Sequence, residues 1–273
     1  MKLSIIHNLY LRNPYVAESI RLNLKALTDA NVQDYEYILF NDHGDESIHE
    51  DINTFIQDSN TRIKYIYSDI NYGKKMCSGG YVGAIPYITG DVIHVTGQDD
   101  VMSAAFYMES MAVFNFHPNI YFVTSNGYIT DEQLGITNIL INPGYYMDCS
   151  KPLEIFKSWF GISPPLYEVT RANNGFLAPG TIYKRKLHDL IGTFDLDNFR
   201  GAADFEYWAR ILFYEYPGRY IAQPNWYYRR TAFTAATAVV DGKPNNDYWR
   251  HIHIEMIKEK YTKLVQQNKD KFK

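Results

Sequence analysis

Four short apolar runs, each handed on to a segment of helical spacing, limit what this chain can become. "KLSII" (2 to 6), "YEYILFND" (35 to 42), "RIKYIYS" (62 to 68) and "VIHVTG" (92 to 97) have the length and the β-branched and aromatic bias of strands. Between them, "PYVAESIRLNLKALTDA" (14 to 30) carries Val16, Ile20, Leu24 and Leu27 on one stripe opened by a proline, and "DESIHEDINTFIQD" (45 to 58) carries Ile48, Ile52, Phe55 and Ile56 on another. Strands separated by helix-length connections pair in parallel, because a parallel crossover needs a dozen residues or more. The pattern predicts an α/β domain built on a mostly parallel sheet, with "NIYFVTS" (119 to 125) as a fifth strand.

The second half is less regular. "GYYMDCSKPLEIFKSWFGISPPLYEVTRANNG" (144 to 175) mixes aromatics, prolines and polar residues, as the wall or loop of a site does. "GFLAPGTIYKR" (175 to 185) reads as a strand, "KLHDLIGTFD" as a short helix and turn, and "RYIAQ" (219 to 223) as one more strand. "DFEYWARILFYEY" (204 to 216) places Phe205, Trp208, Ala209, Leu212 and Phe213 on one helical face. The chain ends in an amphipathic, lysine-rich helix. A solvated face is the first reading of those lysines, and contact with a membrane surface the second.

A chain of 273 residues, 46% of them hydrophobic, can bury a sizeable core. A net charge of -4 gives no long-range attraction for nucleic acid or anionic lipid, so any phosphate must be held locally. No stretch approaches the eighteen or so apolar residues of a membrane span, and "MKLSIIHNLYL" lacks a signal-peptide core, so the expected location is cytoplasmic. Cys77 and Cys149 form no metal-ligand or redox spacing and are expected to be free thiols.

In an open parallel sheet, ligands lie outside the carboxyl ends of the strands. Three strands here end in polar residues: His7 and Asn8 after the first, Asn41 and Asp42 after the second, Gln98, Asp99 and Asp100 after the fourth. Adjacent acids repel unless a cation neutralises them, and hard oxygen ligands favour Mg²⁺ or Mn²⁺, which could bridge a diphosphate. Alternatively Asp99 or Asp100 caps a helix beginning near Val101. Asp204 carries the same ambiguity, as an N-cap before the stripe that starts at Phe205 or as a general base facing the crevice. "SGGYVG" lacks dinucleotide-loop spacing and "YGKKM" is no phosphate loop. His251 and His253 are two apart on a helix and read as surface residues. Tyr10, Trp159, Trp226 and Tyr227 lie near polar loops where a sugar could stack.

Taken in order, these segments resemble the family 2 inverting glycosyltransferases of GT-A fold. "SIIHNLYLRN" resembles the family's opening strand and Pro-Thr-Tyr-Asn-like loop, "LFNDHGDES" its Asp-Asp-Gly-Ser, "NYG" its Asn-x-Gly, and "GDVIHVTGQDD" the strand leading to an Asp-x-Asp metal motif. "GTIYKRKLHDLIGTFDLD", "GAADFEYWARI" and "WYYRR" resemble the later Gly-Gly-Phe-Asp-Glu, Glu-Asp-x-x-x-Trp-x-Arg and Tyr-Arg segments, over residues 3 to about 231. Departures are plain: Gly97 or Gln98 stands for the first acid of the metal motif, Ala203 for the Glu before Asp204, and Arg230 and Thr231 follow where a His is usual.

The resemblance implies Asp204 as catalytic base, Asp100 and Asp99 as ligands of Mn²⁺ or Mg²⁺, and Asp42 as the reader of the nucleotide base. It places Asn8, Tyr10, Asn71, Gly73, Lys74, Asp99 and Arg229 against a nucleoside-diphosphate sugar, a UDP-sugar first. It further implies a nucleotide-sugar-binding half over residues 1–125, an acceptor-binding and catalytic half of the same domain over 126–235, and a helical tail over 236–273. The acceptor would be a glycan or lipid-linked hydroxyl in polysaccharide, lipopolysaccharide or other glycan assembly, with membrane contact at most peripheral, at the inner face. A non-catalytic nucleotide- or glycan-binding protein that keeps the fold is the alternative; a nucleotidyltransferase is disfavoured, because "HNLYLRNPY" has no glycine.

Overall fold

The apolar runs pair as their composition requires. In the computed structural model, which describes residues 1–57, 62–72, 79–140, 148–160, 178–199, 202–231, 239–240, 243–244 and 251–272, β1 (Leu3–Leu9) lies between β2 (Tyr35–Asn41) and β4 (Val92–Thr96), all parallel, with β3 (Ile63–Tyr67) parallel outside β2. Leu3 is level with Tyr35 and Val92, and His7 with Leu39 and Thr96, so the three strands end on one edge. Helices α1 (Val16–Asp29), α2 (Ile48–Gln57) and α3 (Gly79–Ala84) connect them.

Beyond β4 the sheet departs from the parallel expectation. β8 (Thr181–Lys184) is antiparallel to β4 and to β6 (Phe122–Thr130), and β6 is parallel to β9 (Gly218–Arg229). β9 in turn pairs with a two-residue strand that composition does not disclose, β5 (Val101–Met102), and β7 (Ile136–Leu140) folds back on β6. The order is β3-β2-β1-β4-β8-β6-β9-β5. β8 enters the sheet from Ala178–Gly180 and runs against β4, Thr181 to Lys184 passing from the carboxyl edge towards the amino edge. A separate pair, β10 (Val239–Val240) and β11 (Lys243–Pro244), is antiparallel.

Period-two alternation divides the core between the two faces. Leu3, Ile5 and Leu9 pack with Val16, Ile20 and Leu27 of α1 and Phe106 of α4 (Ala104–Phe116), while Ile6, Ile38 and Val95 pack with Tyr183, Tyr207 and Trp208. Tyr207 and Trp208 belong to α8 (Ala203–Phe213), which follows α5 (Pro152–Trp159), α6 (Lys186–Ile191) and α7 (Leu196–Phe199). His7 points into this interior instead of the crevice: it is fully buried with Nδ1 2.8 Å from the Tyr37 hydroxyl, and desolvation pulls its pKa down to about 4 against a raising contact with the Gln98 backbone. Trp226, expected beside a sugar, is also core, with its Nε1–H donating to the Ser125 carbonyl at 3.3 Å.

The C-terminal helix α9 (His251–Gln267) docks Ile257 and Tyr261 into the α8 side of the core. Glu206, wholly buried on α8, accepts from Arg210 at 2.6 Å, Lys260 at 2.7 Å and the Tyr261 hydroxyl at 3.0 Å, so a carboxylate ties the two helices together. Lys258 and Lys263 pair with Glu255 and Glu259 along the helix, and Lys271, beyond its end, pairs with Glu215. Among the described residues no helix is long and apolar enough to cross a membrane. Cys149 is a buried free thiol; Cys77 lies outside the described residues.

Candidate active site

Where β4 ends, Gly97 lets the chain curl back on itself. Its N–H donates to Oδ2 of Asp100 at 3.2 Å, and a Cβ there would stand only 2.8 Å from that oxygen, so a side chain would open the turn. The turn buries two acids, Asp99 to 6% and Asp100 to 3% exposure. Neither caps a helix: α4 begins only at Ala104, and Ser103 is its N-cap, accepting from the Phe106 N–H at 3.2 Å. The acids are therefore not explained by helix chemistry.

Asp99 Oδ2 accepts from Asn13 Nδ2 at 3.2 Å and, more distantly, from the Thr231 hydroxyl at 3.5 Å. Asp100 Oδ1 is buried with no hydrogen-bond partner among the described residues. Burial, then the neighbouring charge of Asp99, pushes the Asp100 carboxyl well above the usual carboxylate range, against the Gly97 N–H and Arg229. Burial raises Asp99 as well, opposed by Asn13, Arg229 and Thr231. Two acids that resist ionising side by side form a site that favours a cation or a proton.

One resident cation stands behind them. Arg229, the last residue of β9, is wholly buried, with Nη1 2.8 Å from Glu18 Oε2 and the guanidinium 4.6 Å above the Tyr15 ring. The approach to Glu18 meets no hydrogen-bond geometry, so the contact is charge pairing. Arg229 thus supports the acids electrostatically from the interior and does not line the open crevice.

A second cluster sits on the ends of β1 and β2. Asp42 is buried and accepts from the Tyr72 N–H at 2.8 Å, while its own N–H donates to the Leu9 carbonyl at 3.0 Å. The Tyr10 N–H donates to Gln98 Oε1 at 3.1 Å, and Asn71 Nδ2 to the Tyr10 hydroxyl at 3.4 Å. Asn8 is half-buried against α3, where a Cβ on Gly80 would overlap its side chain. Gln98 immediately precedes the acidic pair, so the two clusters share one edge. Gly73 and Lys74 lie outside the described residues.

Asp204 is not the N-cap that its position before Phe205 suggests. α8 begins at Ala203 with Ala202 as N-cap, and Asp204 is half-buried in the first turn, its Oδ1 accepting the Phe205 N–H at 2.8 Å. α8 leads through residues 214–217 into the start of β9, which is level with Phe122 at the amino edge, so its first turn faces the opposite, carboxyl edge. That edge also carries Asp99 and Asp100. Trp159 stacks on Phe205 at 5.4 Å and 16°, next to Asp204, and Tyr227 stacks on Tyr128. Sequence reading missed Asn13, Tyr15, Glu18 and Asn23 around the acids. Only Asn23 left a signal, a polar residue on the apolar stripe of α1.

The donor set tests which metal would fit. Both side chains are hard carboxylates, and among the described residues no three His, Cys, Asp or Glu converge. Such a pair suits a Mg²⁺- or Mn²⁺-like ion that completes its shell with water and substrate phosphate.

The sequence matches no protein-family profile and no curated protein. Among solved structures, the chain is similar to residues 1–349 of S. aureus TarS in complex with UDP (14% identity, TM-score 0.55, covering 85% of this chain and 61% of that one) and with UDP-GlcNAc (15%, 0.56, 88% and 62%). It is also similar to the mannosyltransferase PcManGT from Pyrobaculum calidifontis in complex with GDP-Man and Mn²⁺ (14%, 0.53, 84% and 56%). At these identities the likeness shows the fold: mixed α/β, a mostly parallel sheet flanked by helices. The chain spans about three fifths of the TarS chains it resembles.

Proposed function

We propose that this protein is a glycosyltransferase of the GT-A, family 2 type that moves a sugar from a nucleoside-diphosphate donor to an acceptor hydroxyl with inversion. The observation that carries the reading is the buried acidic pair at the carboxyl edge, with Asp100 Oδ1 unpartnered among the described residues. Support comes from the fold it shares with proteins solved with UDP, UDP-GlcNAc, or GDP-Man and Mn²⁺.

In this reading Asp42 accepts a base N–H, Asn8, Tyr10 and Asn71 line the donor, and Asp99 and Asp100 would hold Mg²⁺ or Mn²⁺ against its diphosphate. The ion, when bound, offsets negative charge growing on the leaving group. Arg229 adds fixed positive potential from behind the pair, stabilisation that needs no reorganisation during the reaction. The acceptor oxygen forms its bond to the anomeric carbon as the bond to the diphosphate breaks on the opposite face, and the hydroxyl proton passes to the Asp204 carboxylate. A UDP-sugar is the first donor to test, and a glycan or lipid-linked hydroxyl the acceptor class.

Calorimetric titration of UDP, GDP, dTDP and CMP, with and without Mn²⁺, tests the assignment, with Asp100→Ala as control. One nucleoside diphosphate should bind and should need both the metal and Asp100. If none binds under either condition, the reading is wrong.

A further inference from the structure

Asn23 lies on the inner stripe of α1 between Ile20 and Leu27, completely buried, where a leucine would serve packing better. A buried carboxamide is costly unless its polar atoms are used, and here both are. Its Oδ1 accepts the Met102 N–H at 2.7 Å, and its Nδ2 donates to the Asp100 carbonyl at 3.1 Å.

The two bonds to backbone positions 100 and 102 imitate the ladder that a neighbouring strand would provide. β5 is otherwise paired on one side only, to Tyr227 and Trp226 of β9. The turn that carries both acids is thus clamped between β9 and a single side chain of α1.

We propose that Asn23 is a positioning residue that fixes the Asp99–Asp100 turn for a divalent cation, an inference that rests on the glycosyltransferase reading of the acidic pair. It touches no substrate. It acts through the backbone of Asp100, so its loss leaves both carboxylates present but unaimed, and outer-shell partners of this kind are worth about 10- to 100-fold in metal affinity.

The test compares wild type, Asn23→Leu and Ile20→Val, the last removing packing from the same stripe without touching the turn. Mn²⁺ affinity is read by electron paramagnetic resonance, with and without UDP or GDP, and amide exchange is followed over residues 98–104. Asn23→Leu should lose about 10- to 100-fold in Mn²⁺ affinity and exchange the Met102 amide faster, while Ile20→Val changes neither. Wild-type Mn²⁺ affinity in Asn23→Leu, or the same loss in Ile20→Val, overturns the positioning role alone. A wild type that binds no Mn²⁺ with any nucleotide overturns the reading of the site and this inference together. Should Asn23→Leu not fold, Asn23→Gln, which displaces the same amide by one methylene, is expected to lose affinity in the same direction, and an unchanged affinity there is equally fatal.

Discussion

Asp100→Asn should make the metal-free protein more stable. A Cβ on Gly97 would stand 2.8 Å from Oδ2 of Asp100 and 3.9 Å from Oδ1 of Asp99, so the two oxygens lie within about 6.7 Å of each other, and charges at that separation repel by about 2.5 kcal/mol at an effective dielectric constant near 20. Asparagine keeps an oxygen for the Gly97 N–H and removes the charge. Because burial and Asp99 raise the Asp100 pKa above its unfolded value, the folded protein holds the proton more tightly. Its penalty is absent at pH values below the unfolded pKa and grows as pH rises through the folded one. In buffer with chelator, thermal unfolding of Asp100→Asn should match wild type only below the unfolded carboxylate pKa of about 3.9, where Asp100 is protonated in both states, and the variant should gain on wild type as pH rises. By about pH 8 it should exceed wild type by about 2 kcal/mol, or about 4 °C for a chain of this size. Mn²⁺ with UDP should reverse the order, since a ligand at a hundred times its Kd adds about 2.7 kcal/mol to whichever protein binds it. A variant less stable than wild type throughout, with the same pH dependence and the same response to Mn²⁺, would refute the reasoning.

Two other outcomes follow from individual carboxylates. Asp204→Asn should lower turnover about 10²- to 10⁴-fold while leaving UDP affinity by calorimetry unchanged; near-normal turnover excludes it as the base. Glu36, at the amino end of β2, is buried, and the Ser4 hydroxyl, the Thr89 N–H and hydroxyl and Lys2 outweigh the raising effect of its burial, holding its carboxyl at about 2 against an ordinary 4.5. At 1.36 kcal/mol per pKa unit that is worth about 3 kcal/mol, present above pH 4.5 and lost as pH falls towards 2. Glu36→Gln should therefore cost about that much in urea unfolding at neutral pH and progressively less in acid; an equal cost at pH 3 and pH 7 would argue against it.

Much of the amino-terminal half was legible in one dimension. Periodicity and composition are local, so the β1 to β4 strands, the α1 and α2 stripes and the polar residues at the strand ends could be read in order, and the register of β1 with β2 and β4 then brought Asn8, Asp42 and Asp99 to one edge. His7 misled because a polar residue at a strand end reads as exposed, whereas its alternation position turned it into the interior. The reversal at β8 was not legible, since strand direction depends on which edge a connection enters. β5 is two residues long and exists through its pairing with β9 and the Asn23 clamp. By itself, then, the sequence determined an α/β domain, a pair of adjacent acids after its fourth strand and an acid opening a late helix. Tertiary structure decided that Ser103, not those acids, caps the following helix, and that Arg229, Asn13 and Asn23 gather around them from positions up to 216 residues apart in the chain. Burial and hydrogen bonding between distant segments are long-range properties, and they convert two ordinary aspartates into a pair with raised pKa values that favours a cation or a proton.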